Sequence, residues 1–172
     1  DFGTVRPGDI KYRDVNGDGV TELPRAVLMA GYKDTSSSDA VYMLDWYAYG
    51  IGKVPTKVAT TYQNISDAWS LLIDQKWHDR ITAIKVSDGG LSYVEFFEYR
   101  KNKMSIPLFN IYCATGSNRE YYAERTDLIQ LGQTTQVIYF AKLTNEGEQS
   151  ELALTGDEIK ARFSLVNQAW NN

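Results

Sequence analysis

The densest set of potential ligands lies in nine consecutive residues, Asp14-Val15-Asn16-Gly17-Asp18-Gly19-Val20-Thr21-Glu22. Asp14, Asn16, Asp18 and Glu22 put oxygen side chains at positions 1, 3, 5 and 9, and Gly19 at position 6 permits a sharp turn. Alternate residues of such a loop aim their oxygens inward, and the Val20 carbonyl at position 7 can complete the shell. These hard donors suit Ca2+. An EF-hand would add a bidentate Glu at position 12, but Arg25 stands there, so the spacing predicts a structural calcium loop and not a sensor. The competing reading is an Asx-rich turn that bonds only its own backbone. Four oxygens at alternating spacing, with Gly19, favour the metal. In extracellular modules such sites bind weakly, at about 10⁻⁴ to 10⁻³ M.

Other reactive side chains are sparse. His78 is the only histidine and no G-x-S-x-G elbow is present, so a serine triad is not expected, and His78 reads as a surface turn residue. One His and one Cys on separate segments make a poor zinc site. Cys113, in the apolar run LFNIYCA, reads as a buried structural thiol and has no partner for a disulfide. Asp45, Asp88, Glu95 and Glu98 could in principle supply a glycosidase pair, but Glu95 and Glu98 should face opposite sides of a strand. Trp46, Tyr47 and Tyr49 could form a sugar-stacking platform, or part of a core. Asn64-Ile65-Ser66 matches a glycosylation sequon, relevant only in a eukaryote. No catalytic residue is assigned, and Ca2+ is the one cofactor expected.

The positioning elements must come from 172 residues, 43% hydrophobic and 13% aromatic, enough for a real core in one compact unit. A net charge of −4 without a sustained Lys/Arg run argues against nucleic acid as partner. No apolar stretch reaches the roughly 20 residues of a membrane-spanning helix. The start at Asp1, without a Met or signal sequence, reads as a processed or excised piece.

Strand-type runs occupy 10–14, 25–32, 41–50, 53–64, 69–74, 81–88, 91–100, 106–114 and 135–143, most of them bounded by turn residues. Their spacing predicts hairpins in an antiparallel sheet. The pair 81–88 and 91–100, linked by Gly89-Gly90, is the clearest hairpin. Thr155 opens a T-G-D-E capping box, predicting a C-terminal helix with Ile159, Phe163, Val166 and Trp170 on one packing face. Weaker helical segments lie at 65–69 and 118–127, and 33–39 is the most loop-like stretch.

The run YRDVNGDGVTELP, within residues 8–32, resembles the FG-GAP or VCBS calcium-loop repeats of secreted proteins, integrin-like propellers and Firmicutes lipoproteins. That resemblance implies a loop joining two antiparallel strands and held by its metal. The motif occurs once here, which excludes a complete propeller within these residues and places any further repeats upstream. From Thr61, TYQNISDAWSLLIDQKW resembles the opening of PsbP/Mog1-like domains, with departures at Ala68, where that family carries Gly, and before Trp77, where it carries Pro. That family brings no catalytic motif.

The expected fold is therefore α+β, an antiparallel β-sheet with a C-terminal packing helix (PsbP/Mog1-like), preceded by a calcium-loop β-hairpin. Residues 1–59 would hold the calcium loop and first strands, and 60–172 the α+β domain, the two being one continuous domain in the limit. The expected function is a non-catalytic secreted or cell-surface module, lipid-anchored in the full-length protein and monomeric, with a protein or carbohydrate partner. The alternative is a secreted carbohydrate-active enzyme or carbohydrate-binding module.

Overall fold

A computed structural model describes residues 10–36, 39–88 and 91–166. Among the described residues ten strands form two antiparallel five-stranded sheets. The first contains β1 (Leu23–Leu28), β2 (Tyr42–Ala48), β3 (Thr56–Asn64), β4 (Trp69–Leu72) and, after a long excursion, β10 (Phe163–Leu165), in that order. The second contains β5 (Ile81–Asp88), β6 (Leu91–Arg100), β7 (Lys103–Thr115), β8 (Ile129–Gln133) and β9 (Val137–Leu143), in the order β5-β6-β7-β9-β8. The helices α1 (Asn118–Ala123) and α2 (Gly156–Arg162) are short.

The sheets share one core. Met43, Tyr62, Trp69 and Leu71 from the first meet Val94, Phe96, Phe109, Ile111 and Tyr139 from the second, with the Tyr62 and Phe96 rings edge to face at 5.4 Å. Each such side chain contributes about 1.5–3 kcal/mol on burial. Alternation along a strand decides which residues go inward: on β6, Val94, Phe96 and Glu98 are buried while Glu95 and Phe97 are less so. The turn from Asn64 to Ala68 ties the layers together. There Asp67 Oδ2 accepts from Asn64 Nδ2 and Ser92 Oγ, and the Asp67 carbonyl accepts from Tyr139 Oη at 2.7 Å.

Three expectations change. The segment 10–14 is no strand; Arg13 and Glu22 form a single antiparallel bridge, and β1 pairs instead with β2. Residues 65–68 form a turn in place of a helix, with Ala68 at φ 56°. The predicted capping box at Thr155 and Glu158 is present, yet α2 ends at Arg162. A seven-residue helix has little stability of its own. The β-prone Phe163–Leu165 instead pairs with the free edge of β4, where Ser164 and Ser70 hydroxyls lie 2.8 Å apart, and Val166 N donates to the Ala68 carbonyl. Trp170 lies outside the described residues. Ile159 remains in the core as expected. The predicted hairpin of β5 and β6 forms, with Asp88 opposite Leu91. β8 and β10 were not foreseen.

Candidate metal loop

The loop is closed at its base by two backbone bonds, Glu22 N to the Arg13 carbonyl at 2.9 Å and Arg13 N to the Glu22 carbonyl at 3.2 Å. Inside, Asp14 organises the turn: Oδ1 accepts from Gly17 N at 2.7 Å and Asp18 N at 3.2 Å, and Oδ2 accepts from Gly19 N at 2.8 Å. Gly17 and Gly19 sit at φ 76° and 84°, which a side chain would disfavour. The bond from the Gly19 amide, with those from the other loop amides, holds the Asp14 carboxyl below the usual carboxylate range. Asn16 Oδ1 accepts from Asp18 N, Asn16 Nδ2 donates to Asp18 Oδ2, and Asp18 Oδ1 accepts from Val20 N at 2.8 Å.

Glu22 closes the site from below. Its Oε2 accepts from Val15 N at 2.8 Å, while its Oε1 is buried and has no hydrogen-bond partner. One carboxylate oxygen each from Asp14, Asp18 and Glu22 lie within 4.8 Å of one another. Oxygens on opposite sides of a calcium ion stand about 4.6–5.2 Å apart, so the cluster has the dimensions of a calcium shell. With both lone pairs of Asp14 Oδ1 used, a lone pair remains on Asp14 Oδ2 and on each oxygen of Asp18. Hard oxygen donors, matching dimensions and a buried oxygen lacking a partner together fit the ion. Of the five predicted ligands, Asp14, Asp18 and Glu22 converge, and Asn16 joins through Asp18. Val20 enters through its amide, and its side chain is 45% exposed.

Arg13 belongs to the same assembly and was missed; its only sequence signal is adjacency to Asp14. Its guanidinium carbon lies 5.1 Å from the Trp46 ring centroid, a cation–π contact, and burial lowers its pKa. Trp46 is fully buried and donates from Nε1 to Thr61 Oγ1 at 2.9 Å. The loop is thereby seated on the first sheet.

The remaining candidates do not assemble. Trp46 is inaccessible, so no WYAY platform exists on the surface. Asp45 on β2 is held by Thr60 Oγ1 and Lys57, Glu95 is reached by Asn110, and Glu98 is enclosed by arginines on the other sheet. A cleft of about 320 Å³ beside β3 and β4 is lined by residues including Lys57, Thr60, Asp74 and Arg162, without an aromatic ring, and Asp74 is already paired with Arg162 at 3.0 Å. His78 caps a 3₁₀ turn (Gln75–Trp77), and its Nδ1 faces Asp79. Burial pushes the Cys113 thiol up to about 11, which suppresses the thiolate. Asn64 of the sequon is 1% exposed and fully engaged with Ser66 and Asp67, which is incompatible with a glycan. Among the described residues no helix is long and apolar enough to cross a membrane.

No protein family, curated protein or solved structure matches this chain.

Proposed function

We propose that this protein is a non-catalytic secreted or cell-envelope module in which one structural Ca2+ fastens the loop Asp14–Glu22 onto the first sheet. Two observations at Glu22 carry the reading: its Oε1 is buried and unpartnered, and one of its carboxylate oxygens lies within 4.8 Å of oxygens of Asp14 and Asp18. A buried carboxylate oxygen without a donor is costly, and a cation supplied by solvent removes that cost. When bound, the ion would offset two of the three carboxylate charges, with Arg13 beside them. Asp14 and Asp18 shape the turn around it, and Glu22 transmits the closure to Arg13 and Trp46. Extracellular calcium is millimolar-level chemistry, which is why the weak affinity of such loops points to an exported protein.

The kinship of residues 60–172 with PsbP/Mog1-like domains belongs to the same proposal. Its support is local: Ala68 adopts the positive φ for which that family's glycine is suited, and Asp74 caps the turn before Trp77 in place of a proline. A lipid anchor and a monomeric state complete the reading, with a protein or carbohydrate partner. No observation favours the carbohydrate-active alternative.

Calorimetric titration with CaCl2 and thermal melting in calcium against EDTA test the site. The expected result is millimolar-range binding and a higher Tm in calcium, both lost in Asp18→Ala. Absence of binding and of any thermal shift would overturn the reading.

A further inference from the structure

We propose that Asn16 is a modification site: in the folded protein its side-chain amide is converted spontaneously, through attack by the Gly17 backbone nitrogen, to aspartyl and isoaspartyl forms. The conversion needs no metal and stands apart from the calcium reading; only its effect on the ion rests on that reading.

The chain holds one Asn-Gly pair, Asn16-Gly17, and both residues are exposed. Every other described asparagine, at 64, 102, 110, 118 and 145, precedes a residue with a side chain. Gly17 has no Cβ to hinder approach to its nitrogen, and no heavy atom lies within 4 Å of the place a Cβ would occupy. Asn16 Oδ1 accepts from Asp18 N at 3.1 Å, and the ring closed by that bond contains both Asn16 Cγ and Gly17 N. The side chain is thereby curled forward over the peptide bond whose nitrogen attacks it. The same donor draws electron density from Cγ and stands ready for the negative charge that gathers on Oδ1 as the carbon becomes tetrahedral. Gly17 N donates to Asp14 Oδ1 at 2.7 Å. An N–H bond lies in the peptide plane, so this contact leaves the faces of the nitrogen open to Cγ.

Asn64 supplies the contrast. Its Oδ1 also accepts from a turn amide, Asp67 N at 3.3 Å, yet it is 1% exposed and is followed by the β-branched Ile65.

Water is the only co-reactant. The bond from Gly17 N to Asn16 Cγ forms and the Cγ–Nδ2 bond breaks; the Gly17 N proton passes to water, and Nδ2 takes a proton from water and leaves as ammonia. Nothing is oxidised or reduced. Water then opens the cyclic imide, giving aspartate by attack at Cγ and isoaspartate by attack at the main-chain carbonyl. Both products lack Nδ2, which donates to Asp18 Oδ2 at 2.9 Å, and both set a new carboxylate beside Asp18. Isoaspartate also lengthens the main chain by one carbon, which breaks the alternate spacing of the oxygens at 14, 16 and 18.

Incubation in EDTA at neutral pH, with a parallel sample unfolded in urea, tests the proposal by mass spectrometry of the tryptic peptide 14–25. In the folded protein Asn16 should convert at a rate no more than about tenfold below that in urea, whereas Asn64 should convert only in urea. Folded-state conversion more than about tenfold slower than in urea would show that the fold holds the two atoms apart, and would overturn the proposal. Equal conversion of Asn16 and Asn64 in the folded protein, or an undiminished acid gain in peptide 14–25 of Asn16→Gln, would overturn it too. The isoaspartyl fraction, isolated by ion exchange, should lose most of the calcium-induced rise in Tm; a rise equal to that of the unconverted protein would overturn the effect on the loop. No thermal response to calcium in the unconverted protein removes the metal reading and leaves the conversion to be decided by mass alone.

Discussion

Glu98 and Glu22 are both 0% exposed, and they are accommodated in opposite ways. Around Glu98, Oε1 accepts from Arg100 Nε at 2.5 Å and Arg80 Nη2 at 3.4 Å, and Oε2 accepts from Ser150 Oγ at 2.7 Å. Arg80 also reaches Glu151 at 3.0 Å. Around Glu22, one oxygen has a backbone donor and the other has none, although Arg13 stands directly across the bridge with a buried, equally unpartnered Nε. Glu98 is closed by cations that the protein carries. Glu22 instead has a carboxylate oxygen within 4.8 Å of two further carboxylates, the arrangement on which the calcium proposal rests. A buried charge therefore does not by itself mark a site; at Glu22 it is the missing partner together with two neighbouring carboxylates that does.

This contrast is sharpest under substitution. Glu98→Gln should destabilise the fold most, by about 2–3 kcal/mol, because it removes the charge that Arg80 and Arg100 share and replaces one of two acceptor oxygens with an NH2 donor facing them or Ser150. Urea melts should show the same loss in calcium and in EDTA. Acid provides a second readout of this residue. Burial raises the Glu98 pKa, but the Ser150 bond and the Arg100 and Arg80 cations outweigh it, leaving the carboxyl below its ordinary value. A depressed folded pKa contributes stability above the unfolded value of about 4.3 and loses it as pH falls further. Stability measured in EDTA should thus drop below about pH 4, and less steeply in Glu98→Gln.

Glu22→Gln should behave differently. In EDTA its stability should stay within about 1 kcal/mol of wild type, since an uncompensated buried charge is removed. In calcium it should lack the gain of about 2.7 kcal/mol expected when the ion stands at a hundredfold its Kd. Equal losses for the two glutamate variants in EDTA would break the comparison. The smallest effect is expected at Ala68, whose φ of 56° is strained for a residue with a Cβ. Ala68→Gly should stabilise by about 0.5–1 kcal/mol, the relief of strain exceeding the added chain entropy. Thermal melting independent of calcium would register it.

Much of the site was legible because it is local. The donors Asp14, Asn16, Asp18 and Glu22 fall within one turn-rich segment, and alternation together with Gly17 and Gly19 dictates their convergence. Arg13 was not legible, since its contact with Trp46 depends on how the loop lies on the sheet. The same division runs through the fold. Hairpin β5–β6 and the Thr155 cap followed from turn and capping chemistry within a few residues. The end of α2 did not, because the free edge of β4, over ninety residues earlier, captured Phe163–Leu165.

The sequence by itself determined the local chemistry: which oxygens share a loop, which strands alternate, where a helix begins. Tertiary structure decided what each buried charge meets. Glu98 lies in the same inward phase as Val94 and Phe96, and nothing near it in sequence except Arg100 announces its partners; Arg80 and Ser150 arrive from separate segments. Short-range patterns set conformation through sterics and hydrogen bonding over a few residues. Charge compensation in a low-dielectric interior depends on distance in space, and that distance exists only once the sheets have packed.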